Sequence, residues 1–525
     1  MTDDARSFPV PTAIIWALLV LMTLLVSVPA FPATYVVDPA GSDANPGDSN
    51  APWATIQHAA WAVAPGDQVT IRSGTYNEAV YLTTSGAAGS PITFAAEPGV
   101  VLVTPNPSAS LSAFDISTGV SYLNLQGIEA TGGYDETIFL RNGVHDILVQ
   151  GCNLHHNHAG IIMGDVYNVT VQQCLLHENR ALGVRIAGAA HDVVISHTDS
   201  FLNGDPAVCD AGVDGFAVAA SAKAITFVGS RAYQNGGDGF DAKGDQITFD
   251  QVESSGNACS GLKIWQSADI RGSLMTGNTR GLGIGSSVGG TTVNLFNSTI
   301  ANNNGVGMDL DTAWVGTYRV NVVNNIFAGD FKAIQYSNAV VFAESNNIFF
   351  RATSPYDPVL CPFRGRPFTG HDINLGLWAR RSRQGVGTLA VDPLFVDPAN
   401  GDFHVQPTSA AVGRGMTVGL TGLSNTLTNI GAYAEPAGPT NHTPWADAGR
   451  NLVGHAKRMV RVSALGSLDP DADPLTYAWD FGDGSVPILG FKATHVYALA
   501  GTYQVTLTAS DGSLSGSRTI QATIR

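Results

Sequence analysis

Six segments of the chain repeat one pattern at a nearly fixed interval. They are ILVQGCN at 147–153, VTVQQCL at 169–175, VVISHTD at 193–199, ITFVGSR at 225–231, ITFDQVE at 247–253 and IRGSLMT at 270–276. Each alternates apolar and polar residues, as a half-buried strand does. Their starts are separated by 22, 24, 32, 22 and 23 residues. An asparagine follows each one near a turn: Asn157, Asn179, Asn203, Asn235, Asn257 and Asn278. A glycine then opens a further short strand, at Gly183, Gly215, Gly239 and Gly261. A repeat this short cannot bury its own apolar face. Stacked on its neighbours it forms a parallel solenoid, with strands about 4.8 Å apart around one continuous core. A β-propeller would need repeats of roughly 40 residues or more. Asparagine at a recurring turn tolerates left-handed geometry and can bond its neighbour in the stack.

Composition agrees. Of 525 residues only 13% are charged and 59 are glycine, which suits short strands and tight turns better than helices. The net charge of −16 excludes general attraction to nucleic acid or to an acidic polymer. An acidic substrate would need a local cation or a local basic patch. The apolar run at 14–28 is short for a membrane span, and Val28-Pro29-Ala30 puts small residues at the −3 and −1 positions of a signal-peptidase site. Export with cleavage after Ala30 is expected, to an extracellular or cell-surface location. Asp3 and Asp4 outweigh Arg6 in the leader, so a retained anchor is the alternative.

The five cysteines make no disulfide framework for a chain of this size, and their odd number leaves at least one free thiol. Cys152 and Cys174 occupy equivalent positions in adjacent repeats, where an inward stack of small side chains is expected. His155, His156 and His158 lie at a turn without a further ligand at metal spacing.

The flanks fit a solenoid. The stretch 52–63 (PWATIQHAAWAV) has Trp53, Ile56, Ala60 and Val63 on one side of a short helix that can cap the open end. The segment from DPAGSDANPGDSNAPWATIQ to RSGTYNE resembles the N-terminal cap and first coil of secreted pectate-lyase-like β-helix proteins. VDPLFVDPANGDFHVQPTSAAVGRG and NIGAYAEP resemble the last coils of that superfamily. The resemblance covers about residues 34–435 and implies a right-handed parallel β-helix. A Pro/Gly/Thr/Asn linker follows. Beyond it, TYAWDFGDG and HVYALAGTYQVTLTASDG resemble the PKD domain, an Ig-like β-sandwich. The expected order is a signal peptide at 1–30, the β-helix at 31–435, a linker at 436–442 and the PKD domain at 443–525. The PKD resemblance implies spacing, or contact with polysaccharide or a cell-surface protein. Asp469, Asp471 and Asp473 there read either as a calcium site or as a turn with solvated carboxylates.

In a solenoid, equivalent residues of successive coils form columns. With the strand-opening glycine as reference, the preceding residues are Leu182, Asp214, Asp238, Ser260 and Arg280. The residues two positions after it are Arg185, Ala217, Asp241, Lys263 and Gly283. Asp214 stacks on Asp238, and Asp241 on Lys263, so three carboxylates and one ammonium gather on one surface patch. Unpaired carboxylates about 5 Å apart must take up a proton or share a cation. Hard oxygen ligands with room for water favour calcium, and Asp205 and Asp210 in the longer insert can add to the shell. The plain alternatives are Asp-Gly turns, and a cross-strand salt bridge from Lys263 to Asp241.

The motifs GVDGFAV, QNGGDGFDAK and SGLKIW are similar to polysaccharide lyase family nine, the calcium-dependent β-helix pectate lyases. The resemblance implies calcium at Asp214, Asp238 and Asp241, with Lys263 as the Brønsted base. Members often carry paired aspartates where this chain has Gly237-Asp238, so one ligand position lacks its carboxylate. The implied function is secreted, calcium-assisted β-elimination of pectate or a related polyuronate by a monomer. The alternatives are a glycoside hydrolase using two of the carboxylates, or a non-catalytic polysaccharide-binding or adhesive protein. Arg280 can clamp a substrate carboxylate, and Trp265 can stack on a sugar or simply pack. Arg364, Arg366, Arg380, Arg381 and Arg383 form a basic cluster in an acidic chain, read as a loop over a solenoid face, with Arg380 and Arg381 either at outer uronate subsites or on a solvated loop away from the groove.

Overall fold

The computed structural model describes residues 32–103, 112–133, 135–210, 212–286, 289–314, 318–336, 340–362, 365–416, 429–433 and 441–525. The leader and its cleavage site lie outside the described residues, as does Arg364. Among the described residues no helix is long and apolar enough to cross a membrane.

Three long sheets run side by side along one solenoid. The first holds 13 strands from Thr34–Val37 to Val340–Ser345, and the second 12 from Gly74–Asn77 to Ile348–Phe350. The third runs from Val80–Leu82 to Pro358–Pro362 and ends on the short antiparallel strand Phe368–Thr369. All other pairings between successive coils are parallel, and the inward residues form one apolar core from Val37 to Ala390. Phe216 stacks on Phe240, and Phe227 on Phe249, in that interior.

The register follows the repeat with one correction. Ile147, Val169, Val193 and Ile225 pair in succession. Ile247, however, pairs with Ala268, and Phe249 with Ile270. That coil is thus two residues shorter than the spacing of similar segments suggests. A slip of two leaves every side chain on its own face, so the alternation alone does not detect it.

The turn asparagines form a buried ladder. The Oδ1 of Asn179 accepts from the Asn157 backbone N–H at 3.1 Å, and Asn203, Asn235, Asn257, Asn278 and Asn303 continue in the same way. Each Nδ2 donates back to a carbonyl of the preceding coil, as Asn257 does to Ala232. A buried amide left unpaired costs about 1–3 kcal/mol, so the reciprocal pattern is what lets these polar side chains sit inside. Cys152 and Cys174 are free, buried and stacked in a second column, which continues through Thr198 and Ser230.

Both ends are closed. The helix Ile56–Ala62 buries Ile56, Ala59 and Ala60 and is N-capped by Thr55. Its free N–H groups at Ile56 and Gln57 donate to the Glu78 carboxylate, each at 2.9 Å. Trp53 and Val63 are buried beside it. At the other end the helices Gly370–Asn374 and Leu377–Ser382 fold over the last coil. Trp378 is pinned there by its indole N–H, which donates to buried Glu344. The C-terminal sandwich has a five-stranded and a two-stranded sheet around Trp479, Phe481 and Tyr497. It meets the solenoid through His371 and Asp447, 2.7 Å apart, and through the edge of Trp445 against Phe350.

Candidate functional site

The third sheet positions the site. Val184–Ile186, Phe216–Val218, Phe240–Ala242, Ser260–Ile264 and Arg280–Ser286 are consecutive strands in it. Arg185, Ala217, Asp241, Lys263 and Gly283 pair in succession across them, on the outer face. Each strand is entered through a glycine. A Cβ on Gly215, Gly239 or Gly261 would stand 2.7 Å from the carbonyl oxygen of the next glycine in the stack. That close passage brings Asp214 and Asp238, the residues just before, into contact. The Asp238 backbone N–H donates to Asp214 Oδ1 at 2.8 Å, and the Ser260 N–H to Asp238 Oδ1 at 2.7 Å.

Lys263 joins the group. Its Nζ lies 3.1 Å from Asp238 Oδ2 and 3.9 Å from Asp241 Oδ1. A second ammonium, Lys243, lies 2.5 Å from Asp241 Oδ2. Lys243 lies one residue past the end of the Phe240–Ala242 strand, where counting from the strand-opening glycine did not reach. All three carboxylates are buried, with Asp241 1% exposed, and neither Asp241 oxygen receives a hydrogen bond of good geometry. Burial, then the charges of Asp238 and Asp241, push the Asp214 carboxyl up to about 8, against the Asp238 N–H and Lys263. Burial pulls the Lys263 ammonium down, but Asp238, Asp241 and Asp214 together outweigh it and raise its pKa.

The donor set fits a hard cation. Buried carboxylate oxygens without donors are groups that a divalent cation satisfies, and removing the proton from Asp214 is favoured by the same charge. The fit is chemical, not a preformed cage. Among the described residues the set of three ligand groups drawn within 4.8 Å of one another is Asp469, Asp471 and Asp473, in the sandwich. There Asp469 Oδ1 accepts from the N–H groups of Asp471 and Asp473, and Asp471 pairs with His442 at 2.7 Å.

The remaining candidates divide. Trp265 sits at the end of the Lys263 strand, with Lys263 Nζ 5.7 Å from its ring centroid and its indole N–H unpaired. Arg280 pairs with Ser260 in register, one strand beyond, and its Nε lies 3.7 Å from Asp309 Oδ2. Asp205 and Asp210 are exposed and accept from N–H groups of their own loop, at Ala207 and Gly212. Arg380 and Arg381 are on the closing helix Leu377–Ser382, beyond the fourth strand past Lys263, with Arg381 over the Phe368 ring. They are not brought to the carboxylates. Arg366 lies 3.5 Å from Asp372, and Arg383 ends the same helix.

A disulfide between Cys209 and Cys259, with Cα atoms 5.0 Å apart, ties the insert before Asp214 to the strand that carries Lys263. The two are 50 residues apart, and no local spacing in the sequence announces the pair. The insert lies across Gly236 and Gly237, with the Asp210 N–H donating to the Gly236 carbonyl. A Cβ on Gly237 would be 2.5 Å from Asp214 Oδ1 and 2.7 Å from the Asp210 carbonyl oxygen. Glycine at 237 is therefore a packing requirement here.

The family described as Pel9A-like, right handed beta helix region matches residues 35–339, and a PKD domain family matches 441–525. Pectate lyase PEL9 of Emericella nidulans is 27% identical over 223 residues, which is 40% of this chain and 50% of that protein. The uncharacterized protein YwoF of Bacillus subtilis is 47% identical over 58 residues, 11% of this chain and 12% of that one. The matches thus span half or less of either curated relative. The solved structure of pectate lyase Pel9A has a TM-score of 0.44 and 20% identity, covering 78% of this chain and 97% of its own. The family match takes in more than half of the 525 residues. The chain belongs to the Pel9A-like right-handed β-helix family and carries a PKD domain at its C-terminus.

Proposed function

We propose that the protein is a polysaccharide lyase that cleaves pectate or a related polyuronate by calcium-assisted β-elimination. The observation that carries this reading is the gathering of Asp214, Asp238, Asp241 and Lys263 on one face of three successive coils, where the buried Asp241 oxygens face ammonium groups but accept no well-formed hydrogen bond.

Asp214, Asp238 and Asp241 would hold the calcium. When bound it acts as a Lewis acid on the uronate carboxylate and so eases loss of the neighbouring proton. Lys263 takes that proton on Nζ from the carbon α to the carboxylate. The electron pair left behind forms the carbon–carbon double bond, the bond to the 4-linked oxygen breaks, and water protonates the departing sugar. Lys263 must be neutral to act, whereas Asp238, Asp241 and Asp214 favour its ammonium. Activity is therefore expected to rise toward alkaline pH. Trp265 and Arg280 flank the reacting unit, and Arg380 and Arg381 would serve an outer unit; replacing both by Ala should raise KM.

A hydrolase reading has one observation in its favour. Asp214, pushed up to about 8, keeps its proton at neutral pH as a general acid must. The deciding assay is purified protein on polygalacturonate with and without calcium. Ultraviolet absorbance of an unsaturated product supports elimination. New reducing ends without it favour hydrolysis, and binding without product favours an adhesive role. This reading further takes the protein to be exported after loss of residues 1–30 and to act as a monomer, its PKD domain contacting polysaccharide or a cell-surface protein.

A further inference from the structure

On the N-terminal side of the site the outward column steps from Asp241 to Ala217 and then to Arg185. Asp241 and Arg185 are two strand spacings apart, roughly 10 Å. The methyl of Ala217 does not fill that interval. It leaves a hollow of about 340 Å³, lined by Leu182, Arg185, Asp214, Ala217 and Lys243 among others. That volume falls at the small end of ligand pockets, which run from about 300 Å³ upward.

Arg185 is exposed between buried Val184 and Ile186 and forms no ion pair among the described residues. Three other arginines on the outer face of the solenoid are already matched: Arg141 with Asp115, Arg231 with Asp199 and Arg271 with Asp250. A guanidinium fork without a partner is suited to a planar carboxylate, which it binds through two parallel hydrogen bonds. The opposite side of the site differs. There Gly283 is also small, but Arg280 already faces Asp309.

We infer that the hollow over Ala217 is a binding pocket for a neighbouring sugar-acid unit of the polymer, whose carboxylate is taken by Arg185. The inference rests on the lyase reading for where the reacting unit sits. A polymer lying along the solenoid axis crosses the strands in turn, so a unit over Asp241 and Lys263 places the chain on one side over Ala217. Arg185 is then a specificity residue: it selects acid over ester at a unit that does not react.

The test is calorimetric binding of tetragalacturonate and of its methyl ester, in calcium, to a Lys263→Ala parent that does not consume them. Arg185→Gln and Ala217→Leu are then added to that parent, and thermal unfolding checks that each is folded. Each is expected to weaken tetragalacturonate binding by roughly tenfold or more, Arg185→Gln by the loss of one charge-assisted contact and Ala217→Leu by filling the hollow. Arg185→Gln should also cease to distinguish acid from ester. Unchanged affinity in Arg185→Gln while the parent binds would overturn the pocket and leave the lyase reading intact. A parent that binds neither oligomer overturns both. Weakened binding together with a wild-type protein that forms no unsaturated product would keep the pocket and remove the lyase.

Discussion

Asp241 and Lys263 stand directly opposite each other on neighbouring strands, yet the Lys263 ammonium lies closer to Asp238, at 3.1 Å, than to Asp241, at 3.9 Å. The lysine reaches diagonally across the patch, and Lys243 faces the other Asp241 oxygen, Oδ2. Three carboxylates thus share two ammonium groups. The third, Asp214, holds its proton up to about 8, and a cation binding there would displace it.

Lys263→Ala should abolish elimination while leaving calcium binding nearly intact, since the lysine is a base and not a ligand. Loss of a general base typically costs about 10²–10⁴ in rate. The rate of unsaturated-product formation and calcium calorimetry on one preparation check both halves. A variant within threefold of wild type would remove Lys263 from the chemistry. Asp238→Ala should do the reverse, weakening calcium binding, with added calcium restoring part of the rate.

The calcium-free protein should lose stability as pH rises from about 4 toward 8. Asp214 holds its proton in the fold up to about 8 but releases it near 3.8 when unfolded. Over that window the folded state binds more protons than the unfolded one, so the unfolding free energy falls with pH. Calcium, which binds the ionised carboxylate, should flatten the decline. Asp214→Asn should flatten it without calcium. Thermal melts across this range read the slope directly, and equal slopes in wild type and Asp214→Asn would contradict the account.

The asparagine ladder ends on an acid, Asp330, whose Oδ1 accepts from the Asn303 backbone N–H and from its Nδ2. Its Oδ2 is buried without a partner, and burial raises its pKa well above the ordinary value. That raised value means a contribution that is lost as pH climbs through it. Asp330→Asn keeps the accepting oxygen and adds a donor. By the pattern of Asn278 to Ser254 and Asn303 to Met275, the donor meets the Ile300 carbonyl. A gain on the order of 1–3 kcal/mol at alkaline pH is expected in denaturant unfolding, shrinking toward acid pH.

Much of this was legible in the sequence because a solenoid turns phase into position. The glycine that opens each strand recurs once per coil, so counting from it brought Asp241 against Lys263 and Ser260 against Arg280, as found. The apolar alternation alone was a poorer guide. It has period two and let Ile247 be set against Ile270 instead of Ala268. The Cys209–Cys259 bond was illegible because the insert at 204–212 has no counterpart in the other coils, and its path is fixed by what it packs on. Lys243 was missed for a different reason: it follows the end of the Phe240–Ala242 strand, beyond the positions that the strand-opening glycine fixes.

The same insert decides the last prediction. The sequence resemblance suggests that Gly237→Asp would restore a calcium ligand. The geometry requires the opposite. Any Cβ there meets Asp214 Oδ1 at 2.5 Å and the Asp210 carbonyl at 2.7 Å, and the insert cannot withdraw freely because Cys209 is bonded to Cys259. A further carboxylate would also raise the repulsion that already burdens Asp214. Gly237→Asp should therefore lower calcium affinity and the melting temperature in the oxidised protein. Removing the tether with Cys209→Ser and Cys259→Ser should let the insert shift and recover part of the affinity of the Gly237→Asp variant. Calcium titrations of the single, double and triple variants separate the cases: higher affinity in Gly237→Asp alone would show that the insert does not hold this space.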